Sequence, residues 1–166
     1  MRPDLYQHFQ SYYKKYLEKI YNYLFYRTGY DKATTEDLCS AVFLKALENF
    51  ESFDENKSSF QSWIYAIAHN HLIDFYRAKK ETVQLEAVEN SLGETPDLAQ
   101  KMDRENETEV IMQAIQVLPD NYRELLTLKY VQELSNTEIC EITGKSAVSV
   151  RVTLHRALSA LKEKLL

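Results

Sequence analysis

Apolar residues recur every three or four positions along most of this chain, and the alternating pattern of a β-strand is nearly absent. In residues 60–80 the apolar side chains follow the helical period, and the same period marks helices over about 5–30 and about 34–50. Thr34 or Thr35 is expected to cap the second of these helices. Only three glycines and three prolines interrupt the chain. The pattern predicts an all-α fold.

A break in this pattern divides the chain in two. Residues 81–109 have few apolar residues and no sustained period, and a short helix is expected after Pro96. Residues 81–110 hold nine acidic and two basic residues, a net charge of −7, so the rest of the chain has a net charge of +2. We therefore expect two small helical domains, 1–80 and 110–166, joined by an acidic linker over 81–109.

Local signals in the second domain predict a helix-turn-helix. Pro119 suits the first turn of one helix, and Ser135 with Glu138 has the spacing of a capping box at the start of the next. Gly144 is placed to end that short helix, and a longer helix is predicted from about Ser146 to the end of the sequence. A short capped helix, a glycine turn and a longer helix have the dimensions of a helix-turn-helix.

The last helix has one apolar stripe and one polar face. Projected at about 100° per residue, the polar face and its flanks carry side chains that can contact DNA. Arginine suits guanine or phosphate, a hydroxyl can bond to either, and valine suits the methyl group of thymine. The candidates for DNA contact are Lys145, Ser146, Ser149, Arg151, Val152, Thr153, His155 and Arg156. The alternative is a plain helical hairpin whose charged face is solvated.

Residues 60–77 combine aromatic rings with basic groups. One face of this helix is apolar, and the other is expected to expose Tyr65, His69, Asn70, Tyr76 and Arg77. Rings can stack on unpaired bases while cations hold the backbone, which suits single-stranded DNA. The alternative is that the rings belong to the core, and Trp63 in particular is expected to be a packing anchor.

No set of residues has the pattern of a catalytic, metal or cofactor site. His69 and His71 point to different faces of a helix, and no Glu or Cys completes a ligand set. Cys39 and Cys140 lack metal-ligand spacing. No apolar run approaches the roughly 18–20 residues that span a bilayer, and the first ten residues lack the apolar stretch of a signal peptide. We expect a cytoplasmic protein that is not an enzyme, has no cofactor and does not insert into membranes.

Four stretches, taken in order, resemble the extracytoplasmic-function sigma factors of bacterial RNA polymerase. They are residues 35–47, 60–77, 118–130 and 135–161. They begin with Thr-Glu-Asp-Leu, Phe-Gln-Ser-Trp, Leu-Pro-Asp-Asn and Ser-Asn-Thr-Glu respectively. The resemblance covers nearly the whole chain apart from the acidic segment. It implies a promoter-recognising subunit with a region two domain and a region four domain.

The resemblance also implies a role for each part. The helix of residues 36–50 is similar to the one that binds core polymerase, with candidate contacts Asp37, Ser40, Lys45 and Glu48, although many relatives have Gln and Glu in place of Ser40 and Ala41. Residues 53–77 are similar to the element that melts the −10 promoter region and captures a flipped base. Its candidates are Phe53, Lys57, Phe60, Trp63, Tyr65, Asn70, Tyr76 and Arg77. The last helix is similar to the reader of the −35 element, although Val152 replaces a commonly polar residue.

The implied partners are core RNA polymerase and promoter DNA, which would be duplex at −35 and single-stranded at −10. An anti-sigma factor stays open as a further partner. By resemblance, linkers of this kind can thread toward the RNA channel of the polymerase, and whether this acidic linker enters the channel also stays open. The main rival is a helix-turn-helix regulator that acts without being a polymerase subunit, with a first domain that senses or dimerises. That rival leaves the aromatic and basic helix of residues 60–77 unexplained. A small helical enzyme ranks far behind, because no nucleophile is paired with a base.

Overall fold

The computed structural model describes residues 2–89 and 107–166, and within these ranges it contains seven α-helices and no strand. The helices are α1 (Pro3–Arg27), α2 (Lys32–Asn49), α3 (Phe60–Glu89), α4 (Glu107–Gln116), α5 (Asp120–Leu126), α6 (Asn136–Thr143) and α7 (Ala147–Leu165). A short 3-10 helix, Phe50–Ser52, follows α2, and a π-helical turn, Thr127–Val131, follows α5. The predicted all-α fold is confirmed. The predicted short helix after Pro96 lies outside the described residues.

The start of α2 differs from the prediction because an aspartate caps it. The Asp31 carboxylate accepts from the backbone N–H of Thr34 at 3.1 Å and from its hydroxyl at 2.8 Å, so the helix begins at Lys32. Thr35 is fully buried, and its hydroxyl donates to the backbone oxygen of Asp31 at 2.6 Å. The turn before α2 contains Gly29 in the left-handed region, with φ of 66°.

Helix α3 is longer than predicted. It continues to Glu89, into the segment expected to be linker from residue 81. The physical reason is that residues 81–89 contain neither Gly nor Pro and are mostly good helix formers. The loss of apolar periodicity therefore does not mark the end of the helix.

The helices α1, α2 and α3 form a first module around a core of aliphatic and aromatic side chains. Ile20, Leu24, Val42, Ile64 and Leu72 are each at most 1% exposed. The apolar residues predicted for the second helix lie on its inner side, with only Leu47 half-buried. Burying such side chains is the main favourable term in folding.

The helices α4 to α7 form a second module. Pro119 stands one residue before α5, at its N-cap position, and not within its first turn. The predicted capping box is confirmed: Ser135 accepts from the N–H of Glu138 at 3.1 Å, and the Glu138 carboxylate accepts from the N–H of Ser135 at 2.8 Å. Gly144 ends α6 in the left-handed conformation, with φ of 71°.

The two modules pack against each other. A single hydrophobic cluster includes Tyr65 and Leu72 of the first module together with Leu125, Leu128 and Ile139 of the second. Helix α3 lies against α6, and α1 lies against the π-helical turn. The second module therefore covers part of the face of α3 that the sequence predicts to bind DNA.

Candidate nucleic-acid interface

Helices α6 and α7 form the predicted helix-turn-helix. After the left-handed Gly144, Ser146 caps α7 by accepting from the backbone N–H of Ser149 at 3.1 Å. Val150, Leu154 and Ala157 are buried, so they fix the rotation of α7 against the rest of the second module. Ala147, Leu158 and Leu165, which the projection at about 100° per residue places on the same apolar stripe, are exposed. The apolar stripe that packs against the rest of the second module is therefore shorter than the stripe predicted from the sequence.

The outer face of α7 carries the DNA-contact candidates. Ser149, Arg151, Val152, His155 and Arg156 are exposed, and Lys145 and Thr153 are half-buried. Residues 144–162 contain no acidic side chain. The face therefore combines basic side chains with the positive end of a helix dipole, and both attract phosphate.

A cluster of aromatic rings lies where α1, the 3-10 helix and the start of α3 meet. Phe60 is 4% exposed, and its ring stacks on that of Tyr12 with the centroids 4.0 Å apart. Phe53 and Trp63 are half-buried, with their centroids 4.8 Å apart. Phe60 is a core residue in this arrangement, whereas the rings of Phe53 and Trp63 each keep a part that solvent reaches.

Two α1 residues outside the predicted site hold the loop before α3. The Tyr12 hydroxyl donates to Glu55 Oε1 at 2.6 Å, and His8 Nε2 lies 3.4 Å from the same atom. The hydrogen bond to the Glu55 carboxylate, helped by partial burial, raises the pKa of Tyr12 to about 12. The two residues are four apart on α1, and this spacing is the signal that could have placed them on one face.

The predicted exposure of Tyr65 and His69 is wrong in this structure, because the second module covers that side of α3. Tyr65 is 1% exposed and its hydroxyl donates to Gln132 Oε1 at 2.6 Å. Burial raises the pKa of Tyr65. His69 is 5% exposed, and its Nδ1 faces the carboxylate of Glu124, which is also buried.

Other candidates, on α3 and in the loop that precedes it, remain accessible to solvent. Asn70, Arg77 and Lys57 are exposed, and Arg77 pairs loosely with Asp74 at 3.7 Å. Tyr76 is half-buried, and its hydroxyl donates to the backbone oxygen of Arg27. Asn70 and Arg77 are therefore the predicted polar groups of the second half of α3 that a DNA strand can reach in this arrangement.

All four candidates for core-polymerase contact lie exposed on α2, opposite its buried side. They are Asp37, Ser40, Lys45 and Glu48. At 100° per residue, Leu44 falls in the middle of this face, and its side chain is 58% exposed. The exposed apolar surface of Leu44 can pack against a partner protein, with the polar groups around it as a rim. Leu44 was not among the candidates predicted from sequence, because apolar residues on a helix are ordinarily assigned to its buried side.

A buried arginine anchors the contact between the modules. The Arg27 side chain, 3% exposed, donates to Asp120 Oδ1 at 2.9 Å, and Arg123 donates to the same oxygen at 2.9 Å. Partial burial alone would raise the pKa of the Asp120 carboxyl. The two guanidinium groups outweigh that effect and hold the pKa below its usual value.

The contact of the Asp120 carboxylate with Arg27 and Arg123 predicts that the protein loses stability in acid. A lowered pKa in the folded state stabilises the protein above the unfolded pKa, and the contribution is lost as the pH falls through the folded value. We expect Asp120→Asn to lower the free energy of unfolding at pH 7, and the difference from wild type to shrink below about pH 4. Urea unfolding at pH 7, 5 and 3 checks this, with Asp74→Asn, an exposed carboxylate within one helix, as the control. A difference that stays constant down to pH 3 would contradict it.

No group of three or more His, Cys, Asp or Glu side chains that could hold a metal ion occurs within residues 2–89 and 107–166. None of the helices in these ranges is long and apolar enough to cross a membrane.

These features define the class of protein. Residues 12–82 match the model for sigma-70 region 2, and residues 108–161 match the model for sigma-70 region 4. The first range covers the aromatic cluster and most of α3, and the second contains the helix-turn-helix. The chain therefore has the two conserved regions of a sigma-70 type transcription initiation factor, in the order that the sequence resemblance implied.

Relatives of similar length identify a narrower family within the sigma-70 type factors. The chain is 36% identical to the RNA polymerase sigma factor YlaC of Bacillus subtilis, over 92% of this chain and 89% of that protein. It is 36% identical to the extracytoplasmic-function sigma factor SigW of the same organism, over 90% and 84%. The chain belongs to the extracytoplasmic-function sigma factors of RNA polymerase.

A solved structure supports the fold. The sigma factor RpoE of Bartonella quintana, determined in complex with the anti-sigma factor NepR, has a TM-score of 0.77 at 20% identity. The match covers 96% of this chain and 97% of that one. It therefore includes both modules.

Proposed function

We propose that this sigma factor divides promoter recognition between its modules, with α7 reading duplex DNA at the −35 element and α3 holding the separated −10 strand. The observation that carries the proposal is the outer face of α7. It presents Arg151 and Arg156 on a helix whose opposite side is locked into the second module. Such a helix fits the major groove, where arginine reads guanine.

For the first module we propose that the exposed face of α2 binds core polymerase. Its support is the pattern of Leu44 at the centre with Asp37, Ser40, Lys45 and Glu48 around it. A few residues packed at the centre of an interface carry most of its binding energy, and the contacts around them exclude water.

This proposal predicts that Leu44→Ala weakens binding to core polymerase. Truncation of a central contact costs about 1–2 kcal/mol, or roughly tenfold in affinity. Fluorescence anisotropy with labelled protein and purified core polymerase measures the affinity. Leu165→Ala is the matched control, since Leu165 is also exposed but lies at the end of α7. Equal affinities for Leu44→Ala and wild type would contradict the proposed surface.

For the strand-holding surface we propose the rings of Phe53 and Trp63 together with Lys57, Asn70 and Arg77. Extruding a base costs a few kcal/mol of stacking. Stacking on aromatic rings returns about 1–3 kcal/mol per base. The two half-buried aromatic residues and the exposed cations in the loop and along α3 therefore have the chemistry to offset melting.

Charge argues that the chain works as a polymerase subunit rather than alone. Non-specific DNA affinity comes mainly from neutralising phosphates, and this chain has a net charge of −5. We expect the free chain to bind promoter DNA weakly and core polymerase to strengthen that binding greatly.

We propose that the acidic residues from Glu86 to Glu94 reach the RNA channel of the polymerase. Deleting these acidic residues and measuring the release of early transcripts tests this, and unchanged release would count against it.

The decisive experiment is transcription by purified bacterial core polymerase with and without this chain, followed by mapping of start sites. Initiation from a defined promoter set that depends on the chain supports the proposal. A stable dimer that binds a two-fold symmetric site tightly without polymerase would favour the rival regulator.

We also propose that the chain has no catalytic activity of its own and that it acts in the cytoplasm, where the polymerase works.

An anti-sigma factor is a further proposed partner. Its support is that RpoE of Bartonella quintana, which shares this fold over both modules, was determined in complex with the anti-sigma factor NepR. CnrH, with a TM-score of 0.68, was likewise determined in complex with another protein, the cytosolic domain of CnrY.

A further inference from the structure

The carboxylate of Glu55 is held in place by two residues of another helix. The Tyr12 hydroxyl on α1 donates to Glu55 Oε1 at 2.6 Å, and His8 Nε2 lies 3.4 Å from the same oxygen. Tyr12 is itself fixed, because its ring stacks on the buried Phe60. Glu55 therefore has a defined position, although more than half of its side chain is exposed to solvent.

The loop that carries Glu55 is also held from within. The carboxylate of Asp54 accepts from the backbone N–H of Asn56 at 2.9 Å. The backbone oxygen of Asp54 accepts from the N–H groups of Lys57 at 3.0 Å and Ser58 at 3.3 Å. These bonds close a turn around Glu55. A loop that is already ordered pays less conformational entropy when it binds a ligand.

The held carboxylate borders the proposed strand-holding surface. Tyr12, which bonds to Glu55, packs edge-on against Phe53 with the ring centroids 6.4 Å apart. Phe53 and Trp63 are the two half-buried rings on which an unpaired base is proposed to stack. Both contacts from α1 are made to Oε1 of Glu55, and none of the residues that the structure describes donates to Oε2. One oxygen is thus held and the other is left to accept from a ligand.

A negative charge at this place favours selection over affinity. A DNA strand is negatively charged, so a fixed carboxylate beside it weakens binding to every sequence. An ionised carboxylate only accepts hydrogen bonds. It therefore attracts the amino groups of bases and repels their carbonyl oxygens. Repulsion of the wrong ligand is one of the two ways in which a site becomes specific.

We infer that Glu55 selects the base that stacks on Phe53 and Trp63, by accepting from an exocyclic amino group, and that Tyr12 is the residue that positions it. The inference rests on the proposed function of residues 53–77 and deepens it. Cytosine, adenine and guanine carry such an amino group on the edge that an unpaired base exposes, whereas thymine has none and presents two carbonyl oxygens. The carboxylate therefore favours the first three bases and disfavours thymine.

The base assigned to Glu55 differs from the one that Asn70 reaches. Asn70 lies seven residues beyond Trp63 on α3, which is about 10 Å along the helix axis. The two polar groups therefore act at separate positions of the strand. Selection by Glu55 takes place at the end of the surface where the rings lie.

Binding of short single strands to the chain assembled with core polymerase measures this selection directly. The strands carry the −10 sequence of a promoter found by start-site mapping, and each position in turn carries cytosine or thymine. The two rings are equal in size, and deoxyuridine repeats the thymine edge without its methyl group. Fluorescence anisotropy gives the affinities. We expect wild type to bind cytosine about tenfold more tightly than thymine or deoxyuridine at one position.

Glu55→Gln tests whether the carboxylate is the source of this preference. The amide still accepts from Tyr12, and it adds a donor that suits a carbonyl oxygen. We expect cytosine and thymine to bind equally at the selected position. Glu51→Gln is the matched control, because Glu51 is an exposed glutamate four residues earlier. Both variants remove one negative charge and so strengthen binding to all strands, but only Glu55→Gln loses the preference.

Tyr12→Phe tests the positioning role. The variant keeps the ring that stacks on Phe60 and removes the hydroxyl that holds Glu55. We expect the ratio of the two affinities at the selected position to fall by about threefold, while affinities at the other positions stay unchanged. Tyr13→Phe, an exposed tyrosine one residue further along α1, is the control and keeps the full preference. A purely structural defect would instead weaken binding at all positions alike.

The outcomes separate this inference from the function on which it rests. A wild type without a cytosine preference at any position, or a preference that persists in Glu55→Gln, overturns the selection by Glu55. A full preference in Tyr12→Phe overturns the positioning role. If the assembled wild type binds −10 strands no better than scrambled strands, the proposed strand-holding function itself fails, and the inference falls with it.

Discussion

Replacing Arg156 with alanine is expected to lower initiation from promoters with an intact −35 element by about tenfold to a hundredfold. A bidentate arginine–guanine pair contributes about 1–3 kcal/mol of discrimination, and its loss falls on upstream binding. Arg156 is exposed on α7, one turn beyond Val152, while the neighbouring Leu154 and Ala157 are buried. The substitution therefore removes a contact group and leaves the packing of α7 intact. Run-off transcription with purified core polymerase measures the effect.

The control for this prediction is Lys162→Ala, another exposed basic residue on α7 that lies six residues further along the helix. If Arg156 contributes only bulk charge, both variants will lose similar activity, and both losses will shrink as the salt concentration is raised. If Arg156 reads a base, only its variant will lose preference among −35 sequences. A promoter already melted at −10 will not rescue it, because the upstream contact is still missing. Unchanged initiation by Arg156→Ala would contradict the assignment of α7 as the reader.

The features that the sequence predicted well are the ones that local physics determines. The capping box of Ser135 and Glu138 and the left-handed Gly144 depend on residues within one or two turns. The buried side of α2 and the Val150–Leu154–Ala157 stripe follow from helical period alone. Because these signals are local, sequence patterns were sufficient to locate the helix-turn-helix and the exposed faces of α2 and α7.

The features that the sequence did not predict depend on contacts far apart in the chain. Nothing near Tyr65 or His69 indicates that Gln132 and Glu124 will cover them, since the partners are more than fifty residues away. The link between Tyr12 and Glu55 is similar, at a separation of 43 residues. Helical period placed Tyr65 on the face of α3 opposite the apolar one, but it could not show that the second module buries this residue.

The buried Arg27 illustrates why such an interface is difficult to predict from sequence. An arginine near the end of a helix, followed by Thr28 and Gly29, is ordinarily interpreted as a solvated group that complements the helix dipole. Here it is buried, with its side chain 3% exposed, and it reaches a carboxylate 93 residues away. A buried charge left without its partner is costly. Because Asp120 is the partner of the buried Arg27, the first module depends on where the second module places this carboxylate.

Asn70→Ala is expected to reduce formation of open promoter complexes by about tenfold, with upstream binding unchanged. Asn70 is exposed on α3, next to the side that the second module covers, and its amide can donate to and accept from the edge of an extruded base. Alanine favours the helix more than asparagine does, so a loss of activity would not come from a weaker fold. Permanganate reactivity of the −10 region measures opening, and a mobility shift at low temperature measures closed-complex binding.

A promoter with a pre-melted −10 bubble provides the sharpest test of Asn70. If the amide helps to capture an unpaired base during melting, the bubble removes most of the cost and the variant recovers most of its activity. Asn22→Ala, an exposed asparagine on α1, is the matched control and should behave as wild type on both templates. Recovery of Asn70→Ala together with no recovery of Arg156→Ala would separate strand capture from upstream reading. If Asn70→Ala opens duplex promoters as fast as wild type, α3 does not capture the base through this residue.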